Sequence, residues 1–188
     1  MDKNGPSGQS GPLRYVARIF DLEIEMLVRD ACEQDLPAIV EITNQAIRET
    51  TAVWSYTPAT IDARRQWLLD RQQRNYPVLV AEVDNKVAGF ASFGDFRPWE
   101  GYRYTVEHSV YVTPDRQRQG IGRLLLSNLI DRARAADKHA MIGGIDAANT
   151  ASLELHRQFG FVEVGRLPEV GWKFERWLDL VLLQLVLS

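Results

Sequence analysis

The sequence predicts an α/β fold, a mixed central sheet flanked by helices. Three observations predict it. Strand-like and helix-like segments alternate from about Ile24 onward. Two apolar runs, Pro77–Val83 and Lys86–Phe93, flank Asp84-Asn85, a tight-turn pair that makes an antiparallel hairpin. Later strand signals are separated by amphipathic helical stretches, which is how parallel crossovers read.

Taken in order, residues 1–23 read as a disordered tail or expression remnant. The first twelve are rich in Gly, Pro and Ser, and Met26 is an alternative first residue. Residues 24–188 read as a single domain. Ile24–Arg29 is a short apolar strand. Asp35 is placed to cap a helix whose stripe is Leu36, Ile39, Val40 and Ile47, with Pro37 in its first turn. Thr57-Pro58 opens a second helix carrying Ile61 and Leu68. After the hairpin comes a polar-aromatic loop, Arg97–Tyr104, and then a strand, Val106–Val112. A Gly/Arg/Gln loop, Asp115–Gly122, leads into a helix with Leu125, Leu129 and Ala133 in line and Leu126 and Ile130 beside them. Ala140–Ile145 is a strand and Thr150–Phe159 a helix. Phe161–Val164 and Trp177–Leu187 form a last pair of strands.

Composition excludes several function classes. The chain has 188 residues, 45% hydrophobic and 25% charged, with a formal net charge of -3. That suits one globular domain and disfavours a general nucleic-acid binder, which is usually basic. No stretch of apolar residues is long enough for a membrane-spanning helix. The start lacks a signal-peptide pattern, so a cytoplasmic protein is expected. Cys32 is the only cysteine, which excludes an intrachain disulfide and a Cys-rich zinc site. It is expected to be a small buried residue. His108, His139 and His156 have no metal-ligand spacing, so no metal is expected.

Gln117-Arg118-Gln119-Gly120-Ile121-Gly122 lies between a strand and a helix. Glycines let the chain turn tightly and bring N–H groups close to a ligand. The helix start adds unpaired donors and partial positive charge, which together suit phosphate oxygens. Arg116, Arg118 and Arg123 stand around the loop to pair with more phosphate.

The strand, Q-x-x-G-x-G loop and helix resemble the acetyl-CoA pyrophosphate site of the GNAT superfamily of N-acetyltransferases. Asn149 through His156, followed by Phe159-Gly160-Phe161, is similar to that superfamily's downstream helix and turn. Thr105–Val112, Leu155-His156-Arg157 and Gly171–Asp179 more closely resemble the phosphinothricin/methionine-sulfoximine acetyltransferases, which acetylate the α-amino group of amino acids. The resemblance implies a GNAT fold, acetyl-CoA as co-substrate and direct transfer in a ternary complex. It also implies a homodimer, with Trp172–Trp177 as either contact or core strand.

Amide formation from a thioester requires a neutral amine, and a general base must take the ammonium proton. Glu107 sits in the strand that leads into the phosphate loop, among Val106, Val110 and Tyr111, and the resemblance puts the catalytic carboxylate there. His108 should point to the opposite face, unless a bulge re-aims it toward the substrate. The resemblance leaves His156 open as acid for the departing thiolate, partner of Glu107, or structural residue. Asn149 either caps its helix or bonds the cofactor's pantetheine arm. Backbone of Val110, Tyr111 and Val112 would hold the cofactor and the oxyanion where a bulge splays the sheet. Arg118, Gln119, Gly120, Ile121, Gly122 and Arg123 would hold the pyrophosphate. At the substrate end, Arg97 can grip a carboxylate, and Pro98, Trp99 and Trp54 match substrate contacts of the resembling family. The expected activity is acetylation of a small amino acid or analogue. The rivals are a GNAT enzyme for another amine, such as a polyamine or protein N-terminus, and a non-catalytic acyl-CoA-binding module.

Overall fold

The computed structural model describes residues 13–19 and 22–187. Eight strands make one sheet: β1 (Leu13–Ile19), β2 (Leu22–Asp30), β3 (Val78–Val83), β4 (Lys86–Asp95), β5 (Thr105–Val112), β6 (Ala140–Asp146), β7 (Val162–Lys173) and β8 (Arg176–Val186). Their spatial order is β1-β2-β3-β4-β5-β6-β8-β7. Every neighbouring pair is antiparallel except β5 and β6. Helices α1 (Leu36–Glu49) and α2 (Ile61–Gln73) cover one face, and α3 (Ile121–Ala135) and α4 (Thr150–Gln158) the other.

The N-terminal expectation is corrected. Residues 13–19 pair in an antiparallel ladder with β2, so the tail read over 1–23 gives way to strand there. Residues 1–12, 20 and 21 lie outside the described residues. The segment is short and its alternation broken by Val16, but the ladder it joins extends an existing sheet. Helix α2 starts at Ile61, with the Thr60 hydroxyl accepting from Ala63 N–H, rather than at Thr57-Pro58. Asp35 precedes α1 but does not cap it. Its carboxylate instead accepts from Cys32 N–H and from the Arg29 guanidinium. The Asp84-Asn85 turn stands as read, both residues having positive φ.

The larger core lies between the sheet and α3. Leu125, Leu126 and Leu129 are fully buried against Ala91, Val106, Met141 and Val181. Burying a side chain of this kind stabilises by about 1.5–3 kcal/mol. The α1/α2 face has a smaller core around Ile39, Val80 and Phe90. Alternation along β5 follows from this. Val106 and His108 face α3 and α4, whereas Glu107 and Tyr111 face α1 and α2.

Strands β5 and β6 pair only at Thr105↔Ala140, Val106↔Met141 and Glu107↔Ile142. Beyond these, β5 stays with β4 up to Val112 while β6 follows β8 down to Asp146. The two parallel strands therefore part in the middle of the sheet.

Candidate active site

A cavity of about 810 Å³ occupies this parting, lined by both strands and by the start of α3 and the inner side of α4. Thr113 N–H donates to Ala88 O on β4. By strand alternation, the amides of Val110 and Val112 then point away from β4, toward the side that β6 has vacated. They are donors aimed into the cavity. The expected β5 bulge is not what opens the sheet. The β4–β5 register is continuous, and the gap arises because pairing with β6 stops at Glu107.

At one end of the cavity, the loop into α3 places Arg118 and Gly120 in the left-handed region, with φ of 60° and 86°. Leu124 N–H is the first to bond back, to Gly120 O, which leaves the N–H groups of Ile121, Gly122 and Arg123 at the free helix start. Gly122 faces Val112 and Leu155 across the mouth, where a Cβ would come within 3.7 Å and 3.5 Å of them. This is a cradle for an anion. Arg118 has no ion-pair partner among the described residues. Arg116 is committed to Asp84 and Asp115, and Arg123 donates to Gln158 and lies over Phe159. Gln119 sits in the loop with its amide nitrogen donating to Asp115 O.

Glu107 lines the cavity on the α1/α2 face. It is half-buried, and its carboxylate has no hydrogen-bond partner among the described residues. Burial pushes its carboxyl above the usual carboxylate range, and the positive charge of Arg97 partly offsets this. Gly144 of β6 lies beside the carboxylate. A Cβ on Gly144 would lie 3.5 Å from Glu107 Oε1.

His108 emerges on the opposite face and is buried. Its Nδ1 lies 2.8 Å from Ile142 O, and its Nε2 lies 2.9 Å from His156 Nε2. His156 Nδ1 lies 2.7 Å from Ser152 O, and Phe161 packs against both rings. Burial pushes both imidazoles below their ordinary range, and the charge of His156 adds to this at His108. The structure therefore brings His108 to His156, not to Glu107, and Glu107 and His156 reach the cavity from opposite faces of the sheet. Asn149 does cap α4, its Oδ1 accepting from Ser152 N–H at 3.1 Å, and its residue lines the cavity as well.

Trp54 lines the far end of the cavity, and its ring covers Gly171 of β7 so closely that a Cβ there would lie 2.3 Å from it. The loop that carries it is tied to the same strand. Lys173 is buried and donates to the carbonyls of Thr50 and Val53, and Tyr56 Oη donates to Trp172 O at 2.6 Å. Arg97, Pro98 and Trp99 are exposed and do not line the cavity in the single chain; the Arg97 guanidinium stacks 4.2 Å from the Phe96 ring. Cys32 is exposed, not buried as expected; in the turn before α1 its N–H donates to the buried Asp35 carboxylate while its side chain stays at the surface. Gly143, Gly144, Ser152 and Lys173 are parts of this arrangement that sequence reasoning missed. The paired glycines inside a strand were the available signal, since they mark a close approach.

Residues 39–161 match the acetyltransferase (GNAT) family. The chain belongs to that family. It is 50% identical to an L-methionine sulfoximine/L-methionine sulfone acetyltransferase of Salmonella typhimurium, over 87% of this chain and 95% of that protein. It is 42% identical to a phosphinothricin N-acetyltransferase of Alcaligenes faecalis, over 84% of this chain and 80% of that one. Among solved structures, a putative acetyltransferase of Salmonella typhimurium with acetyl-CoA superposes with a TM-score of 0.85 at 50% identity, covering 87% and 94% of the two chains. The expected GNAT fold and the closer resemblance to phosphinothricin/methionine-sulfoximine acetyltransferases are both borne out. In this chain, the parted β5 and β6 and the open helix start lie along one cavity. Among the described residues no group of three or more His, Cys, Asp or Glu is arranged to hold a metal ion.

Proposed function

We propose that this chain transfers the acetyl group of acetyl-CoA to the α-amino group of a small amino acid or analogue of the methionine sulfoximine, methionine sulfone or phosphinothricin kind. The single observation that carries the reading is the cavity through the sheet. It has anion donors at the α3 end and an unpaired, partly desolvated carboxylate at the other. Support for the substrate class comes from the relatives' names, since a 42–50% identical chain that covers most of each partner keeps the same site framework.

The residues divide the work as follows. The N–H groups of Ile121, Gly122 and Arg123, with Arg118, bind the diphosphate. The coenzyme's arm fills the parting of β5 and β6, and Asn149 offers it an amide nitrogen that the helix cap leaves free. The Val110 or Val112 amide holds the developing oxyanion. Glu107 accepts the ammonium proton, directly or through water, and its raised pKa suits a base working near neutrality. His156 protonates the departing thiolate, which ordinarily titrates near 8.5. Trp54 flanks the amino-acid end, and Arg97, outside the cavity lining with Pro98 and Trp99, acts there through its charge on Glu107.

We also read the enzyme as a cytoplasmic homodimer. Val164, Leu167, Val170, Trp172 and Trp177 expose an apolar strip on β7 and β8 at the free edge of the sheet.

The test is turnover with acetyl-CoA, followed as free thiol, against methionine sulfone, methionine sulfoximine, phosphinothricin, spermidine and a peptide. The amino-acid analogues are expected to be acetylated with a kcat/KM at least tenfold above the other two. Preference for spermidine or the peptide would overturn the substrate class, and absence of thiol release with every amine would overturn the catalytic reading.

A further inference from the structure

The contact between His108 and His156 carries a proton count that two neutral rings cannot meet. His108 Nδ1 lies 2.8 Å from Ile142 O, and His156 Nδ1 lies 2.7 Å from Ser152 O. A carbonyl oxygen only accepts, so each Nδ1 must carry a proton for its contact to be a hydrogen bond. The two Nε2 atoms then face each other at 2.9 Å. Three short contacts need three protons, and two neutral imidazoles bring two. A neutral pair would set lone pair against lone pair at under 3 Å inside a buried wall, the arrangement that a low-dielectric site penalises most. The Ser152 hydroxyl does not resolve this. At 3.5 Å from His156 Nδ1 it is at the limit of a hydrogen bond, and it competes with the much closer Ser152 carbonyl for the same nitrogen.

We propose that His108 and His156 hold one proton in common between their Nε2 atoms, as a singly charged pair set in the cavity wall, and that this proton is the one passed to the departing coenzyme A thiolate. This rests on the reading of His156 as the thiolate's proton donor. His108 is then a positioning residue: it fixes which nitrogen of His156 presents the proton and shares the charge while the site waits.

The surroundings suit one proton and no more. Ile142 and Gly143 of β6, Ser152 of α4 and the Phe161 ring face the pair, and none of them titrates. Of the ionisable neighbours on these elements, Glu107 and Tyr111 emerge on the other face of β5. Asp146 ends β6 with Oδ1 accepting from Ala148 N–H, Glu154 lies on the outward part of α4, and Arg157, next to His156 on α4, is exposed and pairs with Glu163 at 3.8 Å. Burial lowers both imidazoles and the charge on His156 lowers His108 further, so the one proton is held against desolvation by the three short contacts, and a second is refused.

The reaction balances. The amine nitrogen bonds to the thioester carbon, the C–S bond breaks, and its electron pair goes to sulfur. Sulfur takes the shared proton, leaving two neutral rings, each protonated on Nδ1. The nitrogen loses two protons, one to Glu107 and one to water. Glu107 then releases its proton to water and the pair takes one back. The sum is ammonium plus thioester giving amide, thiol and one proton in solution.

The test reads the unmodified enzyme first. Nitrogen NMR of 15N-histidine-labelled protein at pH 7 should show both Nδ1 atoms protonated and both Nε2 atoms intermediate between protonated and bare. A bare Nδ1 on either ring, or two bare Nε2 atoms, overturns the shared proton, and neither readout requires substrate. Kinetics then judge delivery. His108→Gln is expected to lower kcat about tenfold with the KM for acetyl-CoA unchanged, and to cost nothing further in a His156→Gln background. Additive losses, or a raised KM with kcat retained, overturn the relay. Full kcat in His156→Gln alone removes the thiolate-donor reading, and with it the delivery, while the spectrum still judges the shared proton on its own.

Discussion

Glu107 is a charge that the fold keeps at a cost. Its carboxylate is half-buried with no hydrogen-bond donor among the described residues, and burial raises its pKa. The folded state therefore binds its proton more tightly than the unfolded chain does. Stability from this group is greatest at low pH and falls as pH rises through its folded pKa. Glu107→Gln should thus show a higher Tm than the parent at pH 8, with the gap closing as pH falls. It should also lose about 10²-fold in kcat and the acid limb of the pH–rate profile; differential scanning fluorimetry and initial rates across pH 5–9 check both halves. An unchanged rate would remove the residue as base. Gly120 is the other decisive position. No side-chain or backbone atom lies within 4 Å of its absent Cβ, so the constraint is its φ of 86°, not crowding from the protein. For an L side chain this conformation costs about 1–2 kcal/mol. Gly120→Val should weaken acetyl-CoA at least tenfold by calorimetry, since distorting the turn misaims its donors. Residue-level chemistry was legible where it depended on neighbours in sequence, as in the glycine loop and the strand that carries Glu107. The His108–His156 contact was not, because it joins a strand to a helix 48 residues later.

At the scale of elements, the loop after α1 owes its shape to β7. Lys173, 1% exposed, donates to two carbonyls of that loop, and burial lowers its pKa. Lys173→Met would leave both acceptors without their donor, a cost of about 1–3 kcal/mol. The expected result is a severalfold rise in KM for the amine with acetyl-CoA affinity intact, because Trp54 lines the cavity away from the cradle and is proposed to flank the amino-acid end. Equal weakening of both substrates would show that the loop's placement does not act selectively. The extent of β7 was hidden for a related reason. Only Phe161–Val164 is expected as strand from the sequence, and Gly165, Pro168 and Gly171 interrupt any regular pattern beyond it. The structure continues the strand to Lys173 by shifting register twice against β8, between Glu163 and Gly165 and between Leu167 and Gly171. An edge position tolerates Pro168, whose missing N–H has no ladder partner to lose there. The helices α1 and α3 were legible from their apolar periodicity, whereas the parting of β5 from β6 depends on long-range pairing that no local pattern records.

At the scale of the molecule, the sheet ends in an edge that is apolar and open. Trp172 and Trp177 stack edge to face at 5.0 Å, and both are about half exposed. That answers one sequence-level alternative, since neither ring is in the core. A second copy covering this strip would remove two large aromatics from water, and such anchors dominate association energies. Trp172→Glu together with Trp177→Glu should convert a dimer to monomers in sedimentation velocity. A monomeric parent enzyme would instead refute the dimer outright.

The three residue pairs between β5 and β6 are all that stitch the first five strands to the last three within the sheet. Under load the molecule is a ribbon notched at its waist. Pulled from its two ends, it would tear along that notch, with the strands from Ala140 onward peeling away as one piece, while the longer ladders on either side stay zipped.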